Sequence, residues 1–150
     1  MDKIVFLCTG NTCRSPMAEG FFRQLGGEEK TKLHAASAGL FTADGLPVSE
    51  NAVVAAAELG ADIRAHRSQM LTAALAEEAR YLVCMTRAHY DRVLEMFPQV
   101  EDKLFTLSDT DISDPFGGNL DTYRQCARQL YQAVASVIER LKNDGNCHDV

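Results

Sequence analysis

The chain has 150 residues, room for one domain and little more. Apolar residues make up 46% and charged residues 24%, a balance that supports a packed core and excludes a disordered chain. With 15 Lys and Arg against 21 Asp and Glu, the formal net charge of −6 argues against a broad nucleic-acid or anionic-membrane surface but permits one small anion pocket.

In chain order, Lys3 to Cys8 is a short apolar, partly β-branched run, as expected of a strand buried on both faces. The N-terminus before it carries no secretory pattern, and the apolar runs are too short to span a bilayer. Gly10 and Asn11 break the strand. A helix should follow, with Ser15 as N-cap, Pro16 at the first helical position and an apolar stripe of Met17, Phe21, Phe22 and Leu25, ended by Gly26-Gly27. Leu33 to Ala38 is a weaker strand pattern closed by Gly39, and Val48 to Leu59 reads as a helix ended by Gly60. Residues 61–70 look irregular, and Leu71 to Ala79 reads as a short helix. Tyr81 to Met85 is a second strongly apolar strand, Ala88 to Phe97 an amphipathic helix stopped by Pro98, and Lys103 to Leu107 a last strand. Beyond the polar loop 108–119, Tyr123, Ala127, Leu130, Val134, Val137, Ile138 and Leu141 recur at helical spacing, with Gly145 as the stop and 146–150 as a fraying tail.

Strands alternating with helices imply βαβ units and a parallel sheet. The expected fold is therefore a three-layer α/β domain, four parallel strands flanked by about five helices, with 1–150 as one unit. Ligand sites in such folds lie beyond the C-terminal ends of the strands, which directs attention to the turn after Leu7. The five cysteines at 8, 13, 84, 126 and 147 form an odd set without an export signal, as expected of reduced thiols in the cytoplasm.

Cys8-Thr9-Gly10-Asn11-Thr12-Cys13-Arg14-Ser15 joins the first strand to a helix N-terminus. Such a loop aims several backbone N–H groups and the positive end of the helix dipole at one point, where an oxyanion fits. Cys8 at its base would sit in a field that favours the nucleophilic thiolate. Arg14 can grip two phosphate oxygens at once, and Ser15 is close enough to donate its hydroxyl toward the sulfur.

The run from Cys8 to Glu19, including Pro16-Met17-Ala18, resembles the signature of the low-molecular-weight protein tyrosine phosphatase family. Ser37-Ala38-Gly39, His66, Cys84-Met85-Thr86 and Asp114-Pro115 agree with it, so the resemblance covers essentially the whole chain. It implies a metal-free, cofactor-free, two-step phosphatase with a phosphocysteine at Cys8, phosphorylated proteins as partners and inorganic phosphate as product. Among Asp109, Asp111 and Asp114, spacing alone leaves the general acid open; the family pattern selects Asp114. Asn11, Ser37 and His66 match positions that hold the loop in shape.

Two departures bear on specificity. Tyrosine-specific members carry an aliphatic residue where this chain has Thr12, and often two aromatics after Asp-Pro, where it has Phe116-Gly117. Cys-Thr-Gly-Asn-Thr-Cys-Arg is similar to the bacterial protein arginine phosphatases of the family. A hydroxyl at Thr12 suits the polar phosphoguanidinium, with Phe116 covering its plane, so phosphoarginine is favoured over phosphotyrosine. An arsenate reductase on the same scaffold is the redox alternative, but residues 85–97 lack the second thiol it would need near Cys84. Cys13, five residues from Cys8, is a candidate disulfide partner during oxidation. The four His show no zinc-binding spacing with the thiols, so no metal is implied.

Overall fold

The computed structural model describes residues 2–148, with side chains described through Asn143. Four strands, β1 (Asp2–Cys8), β2 (Leu33–Gly39), β3 (Ala79–Cys84) and β4 (Leu104–Thr106), form one sheet in the order β2-β1-β3-β4, every pairing parallel. β1 is central, and from Ile4 to Leu7 each residue is 0% exposed, because helices cover both faces. Ile4, Phe6 and Cys8 point to the side packed by α1 (Arg14–Gln24), α3 (Glu50–Glu58) and α6 (Leu120–His148). Val5 and Leu7 alternate to the side packed by α4 (Ala73–Glu78) and α5 (Arg87–Met96). Each such large apolar side chain contributes about 1.5–3 kcal/mol by leaving water. The chain leaves β1 toward β2 and later returns on β1's other side to form β3. The carboxyl end of β1 therefore lies at a topological switch point, where a crevice opens.

The local differences from expectation have physical causes. Gly26, at φ 76°, ends α1 in the left-handed region, and an additional short helix, α2 (Gly27–Thr31), follows at once. Pro98 opens a 3₁₀ helix, Pro98–Lys103, that adds a seventh helical segment among the described residues. α3 starts at Glu50 rather than Val48. Gly145 does not stop α6: the backbone is helical through His148. Positions 149–150, and the side chains of Cys147 and His148, lie outside the described residues. Among the described residues no helix is long and apolar enough to cross a membrane.

Candidate active site

The start of α1 departs most usefully from expectation. The helix begins at Arg14 with Cys13 as N-cap and has no side-chain cap and no acid in its first turn. Ser15, expected to cap it, is 0% exposed and turned inward, its Oγ 2.9 Å from Cys8 Sγ. The helix end thus keeps its free N–H groups for an anion.

Asn11 shapes the loop. Its φ of 57° turns the chain back over Cys8, and its backbone N–H donates to Cys8 Sγ at 3.3 Å. Its carboxamide Nδ2 donates to Ser15 Oγ at 2.8 Å and to Ser37 Oγ at 3.0 Å. Because Ser15 Oγ accepts from Asn11, its own proton is free for Cys8 Sγ. Ser37 likewise passes its proton to Glu19 Oε1 at 2.7 Å, and Glu19 is paired with Arg23. Asn11 Oδ1 accepts from the Gln69 backbone N–H at 3.0 Å and from His66 Nε2 at 3.2 Å, and that nitrogen is also 3.1 Å from the Asn11 carbonyl. Burial pushes the His66 pKa down, which keeps the ring neutral and lets a protonated Nε2 serve as the donor here.

Arg14 closes the opposite wall. It is 5% exposed and fixed by donating from Nη1 to the Ile112 carbonyl at 2.9 Å, with Nη2 3.5 Å from Asp114 Oδ2. Asp114 is half-exposed at the lip; its Oδ1 accepts the Phe116 N–H at 3.0 Å, which leaves Oδ2 as the oxygen beside Arg14. Together Cys8 through Arg14, Asp114 and the exposed Phe116 enclose a cavity of about 230 Å³. A larger hollow of about 560 Å³ lies behind the loop, lined by Glu19, Arg23, Asp62 and His66 among others, and holds no nucleophile. The rival acids are elsewhere: Asp111 Oδ1 accepts the Arg87 N–H at 2.9 Å, and Asp109 lines a separate hollow with Phe105 and Arg140.

The family profile described as low molecular weight phosphotyrosine protein phosphatase matches residues 3–147. The chain belongs to this family. A protein-arginine-phosphatase of Geobacillus stearothermophilus is 39% identical over 150 residues, covering 95% of this chain and 97% of the relative. The low-molecular-weight protein-tyrosine-phosphatase PtpB of Staphylococcus epidermidis is 32% identical over 142 residues, covering 90% and 96%. Among solved structures, the YwlE arginine phosphatase in a cysteine-to-serine mutant with a phosphorylated active-site serine superposes with a TM-score of 0.89 at 37% identity. It covers 96% of this chain and 97% of that one.

Several residues around this candidate site escaped sequence reasoning. Glu19 and Gln69 extend the Asn11 network, the Ile112 carbonyl holds Arg14, and His89 Nε2 sits 2.9 Å from Thr9 Oγ1. Only Glu19 carried a signal, since it ends the quoted motif; the others are joined across the fold. Cys13 is buried in the loop wall, 3.7 Å from Tyr123 Oη and 3.9 Å from Thr12 Oγ1, and burial pushes its thiol pKa up. Burial pushes Cys84 and Cys126 up to about 12, so neither is a ready nucleophile. Cys84 also packs in the cluster on the sheet face opposite Cys8. Among the described residues no three His, Cys, Asp or Glu gather as metal ligands do.

Proposed function

We propose that this phosphatase removes phosphoryl groups from arginine side chains of proteins, through a phosphocysteine at Cys8. The observation that carries the chemistry is the 2.9 Å contact of Cys8 Sγ with Ser15 Oγ at the base of a cavity walled by Arg14 and Asp114. In the first step the Cys8 thiolate attacks phosphorus, the P–N bond breaks, and the protonated Asp114 carboxyl gives its proton to the departing guanidine nitrogen. In the second, water attacks phosphorus and yields a proton to Asp114 while the S–P bond breaks. The thiolate leaves under the Ser15 hydroxyl and the Asn11 N–H, and inorganic phosphate is released. Arg14 and the uncapped N–H groups of α1 hold the equatorial oxygens in both steps.

Phosphoarginine is favoured because Thr12 sets a hydroxyl in the cavity wall and Phe116 supplies a single aromatic at the lip. The 39% identity to an arginine phosphatase, against 32% to a tyrosine phosphatase, supports the same reading. Protonation by Asp114 matters more for guanidine, a far stronger base than phenolate, whose conjugate acid has a pKa of about 10. In this reading Cys13 shields Cys8 against peroxide: the peroxide oxidises the Cys8 thiolate to a sulfenic acid, and the Cys13 thiol displaces water from it to form the disulfide. We assign the enzyme to the cytoplasm, where thiols stay reduced; the free state of Cys8, Cys13, Cys84 and Cys126 supports this. The test compares kcat/KM on matched phosphoarginine and phosphotyrosine peptides for the wild type and Thr12→Ile. Phosphoarginine should be preferred by the wild type, and Thr12→Ile should lower that preference. Equal effects of Thr12→Ile on both substrates would refute the role of Thr12.

A further inference from the structure

His89 lies at the first turn of α5, 7% exposed, with its backbone N–H held by the Thr86 hydroxyl at 3.1 Å. Its Nε2 is 2.9 Å from the hydroxyl of Thr9, the loop residue directly after the nucleophile. Its Nδ1 is the one buried side-chain nitrogen or oxygen among the described residues that lacks a hydrogen-bond partner. A buried orphan N–H costs more than a buried orphan lone pair, so the hydrogen-bond pattern assigns the ring proton to Nε2. Burial first, and the nearby charge of Arg14 second, push the His89 pKa down to about 4; Asp114 and Asp111 pull the other way without reversing it. The ring is therefore a neutral donor near neutral pH.

Donation from Nε2 leaves the Thr9 hydroxyl with one proton and one free lone pair. Thr9 is exposed and lines the Cys8 cavity. A phosphoguanidinium brings both complements within a few atoms: N–H donors on the guanidinium and acceptor oxygens on the phosphoryl group. An aryl phosphate brings the same acceptor oxygens but no N–H donor beside them, so the lone pair of the hydroxyl loses water without replacement. We infer that His89 is a positioning residue for substrate selection: it fixes the Thr9 hydroxyl rotor so that the cavity mouth accepts a phosphoguanidinium in preference to a phosphoaryl group. The inference rests on the phosphoarginine reading and extends it from Thr12 to a second hydroxyl with its own orienting group.

The experiment measures the ratio of kcat/KM for phosphoarginine to phosphotyrosine peptides in the wild type, Thr9→Val, His89→Leu, His89→Gln and the double variant Thr9→Val/His89→Leu. Loss of one well-placed hydrogen bond should lower the ratio about tenfold in Thr9→Val and in His89→Leu. The double variant should be no worse than Thr9→Val, because His89 acts through Thr9. Gln carries an N–H where His carries Nε2, so His89→Gln should keep most of the wild-type ratio. Should His89→Leu fail to fold, Thr9→Val and His89→Gln still decide the matter. An unchanged ratio in Thr9→Val, in an enzyme that does hydrolyse phosphoarginine, overturns this inference alone. Losses that multiply in the double variant do the same. A wild type inactive on phosphoarginine overturns the substrate reading and this inference with it.

Discussion

Asn11→Ala is the sharpest test of how the loop is held. Asn11 is 0% exposed, and its carboxamide uses its full capacity of two donors and two acceptor lone pairs, on Ser15, Ser37, Gln69 and His66. Deleting four bonds at about 1 kcal/mol net each costs about 4 kcal/mol. Alanine at a φ of 57° adds about 1 kcal/mol more, because its Cβ is strained there where Asn is tolerated. The sum, about 5 kcal/mol, is a large share of the 5–15 kcal/mol typical of a domain and should lower Tm by about 10–20 °C at this chain length. Asn11→Gly loses the same four bonds without the backbone strain and should regain about 1 kcal/mol. Thermal unfolding by circular dichroism reads both variants, and turnover of a small aryl phosphate should fall about tenfold or more as Ser15 loses its orienting partner. A cost below about 1 kcal/mol with turnover intact would refute the claim that Asn11 is the keystone of the loop.

Ser15→Ala removes the hydroxyl from Cys8 Sγ; kcat should fall about 10- to 100-fold, with phosphocysteine accumulating in a larger burst because the departing thiolate loses its donor. A change confined to KM would contradict that role. Asp114→Asn should cost about 10²–10⁴ in kcat/KM on phosphoarginine but much less in kcat/KM on an activated aryl phosphate, whose leaving group needs no proton; equal losses in kcat/KM would exclude Asp114 as the acid. The folded-state pKa of His89, about 4, lies below its unfolded value of about 6.5, so the unfolded chain binds the extra proton. Stability from this site is therefore complete above about pH 6.5 and is lost as pH falls toward 4, by up to about 3 kcal/mol. Urea unfolding at pH 7 and pH 4.5 should show a smaller acid loss in His89→Gln, and an identical loss would remove His89 as the cause.

Much of this was legible in the sequence because local and global signals agree. The β1 run reads as a doubly buried strand, and it is one. The α6 stripe from Tyr123 to Leu141 reads as the buried face of a helix, and each of its seven apolar positions is buried. The Cys8–Ser15 segment was recognisable because strand, turn and helix start must be contiguous for the chemistry. Ser15 shows where local reasoning fails: a Ser before Pro is an ordinary N-cap, but here its hydroxyl is committed to Cys8, and the helix end stays bare. Among three closely spaced acids, the discriminating contacts are tertiary, Asp114 beside Arg14 and Asp111 at the start of α5. His89 was unreadable for the same reason: eighty positions separate it from Thr9, and no local pattern announces a contact of that range.

The central claim is that Cys8 carries the phosphoryl group. Rapid acid quench during turnover of a phosphoarginine peptide, followed by peptide mass spectrometry, tests it directly. A phosphoryl adduct on the peptide containing Cys8, formed and lost at rates that account for kcat and absent in Cys8→Ala, is the expected result. Turnover that persists in Cys8→Ala, or an adduct on any other residue, would contradict it.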